Sequence, residues 1–189
     1  MNSSLKITVI ILIGVLTVGY SEYQISQQSY LHDHTENHII EQMPSWQGIE
    51  VDSGRTISSE SLMQNSSKGV VIHFWGTWCA PCEAELPSFI KLAVKFQDKG
   101  VKFILLAVSD TKKSVKKFIK KHKIVLPRNA SVVLDTKGES MPIFGTSKVP
   151  ETYLFGSGLS LLAKYTGPQT WQEQRYFDEI STYLGIKSN

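Results

Sequence analysis

A chain of 189 residues, 41% hydrophobic and 20% charged, can bury the core of one ordinary domain and carry a tail besides, which excludes global disorder. Its formal charge of +3 is too mild to argue for nucleic acid, and its two cysteines exclude a multi-disulfide framework or any four-cysteine metal site. No repeat with a period of about 20–50 residues is present, which excludes a repeat array.

The N-terminus bears on compartment. After the polar stretch Asn2–Lys6, residues Ile7 to Ser21 carry no charge, and Ile7 to Val18 are almost wholly apolar. That length falls between a signal-peptide core and a full membrane span. The best small-x-small cleavage pattern, Thr17-Val18-Gly19, is weak, and no cysteine is near to take a lipid. An uncleaved signal anchor over residues 1–21 is therefore favoured over a cleaved signal peptide, with a buried helix as the third alternative. Either export reading places the following chain in the periplasm or extracytoplasmic space, with Lys6 retained inside. Residues 22–45 read as a flexible linker rich in Gln, Ser, His and acids. His32, Asp33, His34 and His38 fall in it; nothing fixes their geometry, so a solvated tether is favoured over a metal site.

From Trp46 to Asn189 the pattern is that of one α/β domain. Residues 48–51 and 52–57 suggest a small hairpin around Ser53-Gly54, and Ser58 or Ser59 can cap a short helix through Leu62. Gly69–Trp75 and Val101–Val108 are near-continuous apolar runs, as buried strands require. Ala80–Phe96 has a helical stripe of Leu86, Phe89, Ile90, Ala93 and Val94, and Thr111–His122 one of Val115, Phe118 and Ile119. A short strand over Val132–Leu134 and a short helix over Thr136–Ile143 follow. Thr152–Phe155 and Leu159–Tyr165 form a hairpin through Gly156-Ser157-Gly158, and Trp171–Leu184 is a last helix facing inward through Tyr176, Ile180, Tyr183 and Leu184. Strands alternating with helices imply a central mixed sheet covered on both faces.

Cys79-Ala80-Pro81-Cys82 follows directly on a strand and opens a helix, the context that gives a bare CxxC its meaning. Residues three apart in a first helical turn share a face, within the roughly 4.4–6.8 Å between Cα atoms that a disulfide needs. At the helix N-terminus, unpaired N–H groups and the positive dipole end favour thiolate, so Cys79 is the expected attacking sulfur and Cys82 the resolving one. Pro81 is tolerated in the first turn. Haem attachment would need His after the second cysteine, where Glu83 stands, and zinc would need two further ligands. A structural role is disfavoured because so small a loop removes little unfolded-state entropy. The redox-active disulfide Cys79–Cys82 thus replaces any bound cofactor.

The segment VVIHFWGTWCAPCEAELPSF, Val70–Phe89, resembles the active-site region of the thioredoxin fold. Together with the N-terminal apolar segment, it is most similar to the TlpA/ResA-like membrane-tethered thiol–disulfide oxidoreductases of the bacterial envelope, a group that includes reductases of cytochrome c maturation. The resemblance spans Trp46 to about Leu184. It implies a thioredoxin-like fold with an N-terminal hairpin extension. Pro87 matches the proline inside the active-site helix, and Glu85 matches the acid of the group's CxxCxxE pattern, where it tunes thiol pKa and proton traffic. Val149-Pro150-Glu151-Thr152 matches the cis-proline segment lying against the dithiol, which implies that the Val149 backbone pairs with an extended substrate. Trp78 is expected on the substrate rim and Trp75 in the core. His73 departs from the pattern, since thioredoxin has a buried aspartate at the matching place. It is read mainly as a structural histidine and secondarily as a redox-tuning proton acceptor for Cys82.

Residues 46–189 carry 19 basic and 13 acidic side chains, and the seven lysines between Lys112 and Lys123 account for the excess. This reads first as a solvated helix face, with docking to an acidic partner or anionic lipid as the alternative. The function expected is reduction of envelope disulfides, apocytochrome c foremost, with electrons from a membrane thiol protein. The alternatives are an exported dithiol oxidase, a non-catalytic tethered binding module, and metal delivery through the histidines of the linker.

Overall fold

The computed structural model describes residues 14, 17–20, 40–65 and 68–187, and the chain divides into two compact units, Met1–His38 and Ile39–Asn189. In the first unit Gly14 and residues 17–20 are helical; the rest of the expected anchor, and the four linker residues His32, Asp33, His34 and His38, lie outside the described residues. Among the described residues no helix is long and apolar enough to cross a membrane, and no group of three or more metal-ligating side chains comes together.

The second unit is built on a seven-stranded mixed sheet of order β2-β1-β5-β4-β3-β6-β7. Its strands are β1 (Gln47–Glu50), β2 (Thr56–Ser58), β3 (Gly69–Trp75), β4 (Val101–Val108), β5 (Ala130–Asp135), β6 (Glu151–Gly156) and β7 (Leu161–Thr166). The helices are α1 (Ser59–Asn65), α2 (Ala80–Lys95), α3 (Lys112–Lys121), α4 (Ser140–Phe144) and α5 (Gln174–Tyr183). Strands β3, β4 and β5 are parallel to one another, while β6 runs antiparallel to β3 and β1 antiparallel to β5. This is the mixed, two-sided sheet that the sequence pattern implies and the thioredoxin-like architecture that the resemblance implies.

Every residue of β3 is buried, because both faces of the sheet are covered. Its side chains alternate between two cores. Val71 and Trp75 join Leu86, Phe89, Phe103, Trp171 and Tyr176 on one face, while Val70, Ile72 and Phe74 join Trp46, Phe144 and Tyr153 on the other. Each large apolar side chain removed from water in this way contributes about 1.5–3 kcal/mol.

Several boundaries differ from the sequence expectation. On α2 the buried positions are Cys82, Glu85, Leu86, Phe89, Leu92 and Ala93, whereas Val94 is 53% exposed. The face is set by contact with β3 and α5 rather than by hydrophobicity alone, so a buried acid enters the stripe and a valine leaves it. Tyr183 is likewise exposed, and α5 begins at Gln174, leaving Trp171 buried in the preceding loop. The expected helix from Thr136 shrinks to α4 because Asp135 takes the N–H groups of Gly138 and Ser140, and Gly138 adopts a φ of +72°. The folded unit also begins before Trp46. Met43 is buried, its N–H donates to the Leu159 carbonyl at 2.8 Å, and Leu161 N–H donates to Glu41 at 2.8 Å, so residues 41–43 strap the β6–β7 turn.

Candidate active site

The turn between β3 and α2 is fixed from several directions. Asp110, at the end of β4, is buried and accepts the Thr77 and Thr111 N–H groups, each at 2.7 Å. Cys79 N–H closes the turn on the Gly76 carbonyl at 3.1 Å. Trp78 lies 57% exposed across this turn, with its indole N–H on the Val108 carbonyl at 3.2 Å. A Cβ on Gly76 would stand 2.6 Å from that indole nitrogen, so only glycine lets the ring lie down.

Cys79 is the N-cap of α2, with extended backbone, and its sulfur accepts the Cys82 N–H at 3.3 Å. The first turn therefore points a backbone donor at the sulfur expected to carry negative charge. The two cysteines form a disulfide with Cα atoms 5.3 Å apart. Cys79 keeps 6% of its surface exposed, while Cys82 has none. An incoming sulfur therefore has access to one partner only. Pro81 lies in the first turn and Pro87 inside the helix, as the motif implies. The Val149–Pro150 bond is cis, and no hydrogen bond within the described residues engages the Val149 backbone.

Glu85, one turn beyond Cys82, is only 5% exposed. Its Oε2 accepts the Gln169 backbone N–H at 2.6 Å and the Trp171 indole N–H at 3.2 Å. Its Oε1 accepts no hydrogen bond. Burial outweighs those two bonds and pushes the carboxyl up to about 7. His73 is wholly buried, and its ring stacks on Phe89 at 4.4 Å. Nδ1 meets Thr152 Oγ1 at 2.8 Å, across the β3–β6 register, and Nε2 stands 3.5 Å from Glu85 Oε1. Desolvation holds the imidazole down to about 3, so it is neutral at physiological pH.

The fold thus assembles Trp78, Cys79, Cys82, Glu85 and His73 around one strand–helix junction. The seven lysines lie apart on α3 and just beyond it, and among the described residues only Lys121 of that set makes an ion pair, at 3.8 Å from Glu83. His122 reaches the same carboxylate at 3.1 Å. Sequence reasoning did not find Asp110, Gln169 or Trp171 as parts of the site, and it placed Thr152 only in the cis-proline segment, not against His73. Asp110 had a local signal, an acid closing a buried strand before a helix cap. The other three act across 79 to 86 residues of chain and have none.

The AhpC/TSA family model matches residues 39–162. The chain is 30% identical over 181 residues to the thiol-disulfide oxidoreductase ResA of Bacillus thuringiensis subsp. konkukian (strain 97-27), covering 95% of this chain and 98% of the relative. It is 31% identical over 122 residues to the ResA of Bacillus subtilis (strain 168), covering 65% and 64% of the two chains. Among solved structures it is similar to a thioredoxin-family thiol:disulfide interchange protein from Chlorobium tepidum TLS, with TM-score 0.59, 26% identity and coverage of 76% and 94%. It is also similar to StoA from Bacillus subtilis, with TM-score 0.57, 25% identity and coverage of 72% and 98%. Near-full-length likeness, joined to a dithiol with one reachable sulfur, decides the matter: the chain belongs to the AhpC/TSA family and, within it, to the ResA-like thiol–disulfide oxidoreductases.

Proposed function

We propose that this oxidoreductase works in the reducing direction on the outer side of the cytoplasmic membrane, tethered there by its N-terminal segment. The Cys79 thiolate attacks a substrate disulfide, forming a mixed disulfide and releasing one substrate thiol. The Cys82 thiolate then attacks the Cys79 sulfur, releasing the second substrate thiol and leaving Cys79–Cys82 oxidised. Two electrons have passed to the substrate, and a membrane dithiol protein returns them by the same exchange in reverse. Glu85 accepts and returns the proton of the resolving thiol. The Val149 backbone pairs with an extended substrate segment while Trp78 forms the rim. The leading substrate class is the disulfide of apocytochrome c, by likeness to the group described above.

The observation that supports this reading is the inequality of the two sulfurs, one reachable and one wholly buried, with a buried acid one turn beyond them. Cys79→Ser is expected to cut exchange by on the order of 10³-fold or more, and Cys82→Ser to accumulate the mixed disulfide. A Cys79→Ser protein that still exchanged thiols would end the proposal. Direction is decided by equilibrating the full-length protein in redox buffers. A potential near the roughly −270 mV of thioredoxin supports the reductase, and one near the roughly −120 mV of strong oxidants replaces it with disulfide formation.

A further inference from the structure

Glu85 Oε1 and His73 Nε2 are both buried, neither has a hydrogen bond, and they face each other at 3.5 Å. Every other polar atom of the pair is engaged. Oε2 holds two N–H donors, and Nδ1 holds the Thr152 hydroxyl. A buried carboxyl oxygen left with nothing is costly in either protonation state. As carboxylate it needs a donor, and as carboxylic acid its O–H needs an acceptor. A neutral imidazole can be either, according to which nitrogen carries its proton. Thr152 fits both cases, because a hydroxyl can donate to a bare Nδ1 or accept from Nδ1–H.

We propose that His73 is a positioning residue of the dithiol site: it serves Glu85 Oε1 as an Nε2–H donor when Glu85 is ionised and as an Nε2 acceptor when Glu85 is protonated. The ring stays neutral throughout. The two arrangements differ by one proton, exchanged with water through the cleft of about 680 Å³ that Glu85 lines with Pro81, Pro87, Lys91 and Gln169. Glu85 can then gain and lose a proton beside the cysteines without changing its place. The remaining titratable groups around it are Tyr176 of α5, whose hydroxyl goes to Gln169 Oε1 at 2.5 Å, Tyr165 of β7, packed on Trp171, Lys91 across the cleft, and the cysteines themselves. None of these bonds to Oε1. The inference rests on the dithiol reading above for its purpose, but not for its test.

That test is ¹⁵N NMR of histidine-labelled, full-length oxidised protein from about pH 5 to pH 9, with the Glu85 carboxyl carbon followed alongside. The expected result is interchange of the His73 tautomer, Nε2–H giving way to Nδ1–H as pH falls, at the midpoint of the Glu85 titration. A single tautomer across the range overturns the proposal. So does a doubly protonated ring, because the proton would then belong to His73. A variant gives a second reading. His73→Phe keeps the stack on Phe89 and removes both nitrogens, and is expected to raise the proton affinity of Glu85 roughly tenfold. His73→Asn, whose amide can turn either its donor or its acceptor to Oε1, should recover part of that change. An unmoved Glu85 midpoint in folded His73→Phe overturns the proposal as well. The labelled wild-type protein needs neither variant nor activity, so its failure is separable from failure of the reductase assignment.

Discussion

Glu85 and Glu151 are both nearly lost to solvent, at 5% and 2% exposure, on opposite faces of the same sheet. They are held in opposite ways. Glu151 has a cation, Lys164 at 3.3 Å, and both its oxygens are taken, Oε2 by the Tyr153 hydroxyl at 3.2 Å and Oε1 by the Thr166 hydroxyl at 3.4 Å. Glu85 has no cation, two N–H donors on one oxygen and a neutral ring opposite the other. The first arrangement closes both oxygens and ties a strand pair together. The second leaves the proton free to come and go. Burial alone therefore does not mark a functional acid; the set of partners does.

The comparison is sharpened most by Glu85→Gln. Between pH 4.5 and about 7 the folded chain keeps a proton on Glu85 that the unfolded chain has released, so stability falls as pH rises through that window, by about 3 kcal/mol in all. His73 acts the other way. Its ring is neutral in the fold down to about 3 but charges near 6.5 when unfolded, so stability is gained as pH rises from 3 to 6.5. The two slopes oppose each other where they overlap. Glu85→Gln should therefore match the wild type below pH 4.5, gain stability relative to it on the way up, and exceed it by up to about 3 kcal/mol above pH 7, in urea unfolding across pH. Its exchange rate should lose its inflection near pH 7. Glu151→Ala, by contrast, should cost about 2 kcal/mol at neutral pH, through an unpaired Lys164, and leave the pH profile of exchange in place. A profile that shifted with Glu151 would break the distinction. Trp171→Phe removes one donor from Glu85 Oε2 and should move its carboxyl midpoint up by roughly 0.5–1 pH unit, read by carboxyl NMR. The smallest effect belongs to Thr166→Val, which removes the longest bond to Glu151 and should cost about 0.5 kcal/mol in the same unfolding assay.

Much of this site was legible in the sequence because its chemistry is local. Cys79, Cys82 and Glu85 follow one another at helical spacing after a strand whose apolar run leaves no doubt that it is buried. Pro150 was found by its flanking residues. What stayed hidden acts over distance. Trp171 reads as one more apolar residue of a helix, yet it sits before that helix and donates to an acid 86 residues away. Leu92 and Val94 were exchanged in the reading of α2 because both fit an apolar stripe, and only the packed neighbours choose between them. Met43 looked like linker because a single buried residue among polar ones carries no periodicity. His73 was noticed as a polar intruder in a strand, but its two partners come from β6 and α2, which no spacing along β3 can announce.

The strap of residues 41–43 fixes where the chain joins the sheet. Strands β3 and β6 run antiparallel, with Phe74 opposite Glu151 and Gly69 opposite Gly156. The dithiol follows the Trp75 end of that pair, and the strap is tied to the turn beyond its Gly156 end, about 20 Å away at the usual rise of a strand. The chain therefore enters the folded unit at the end of this strand pair opposite its reactive sulfur.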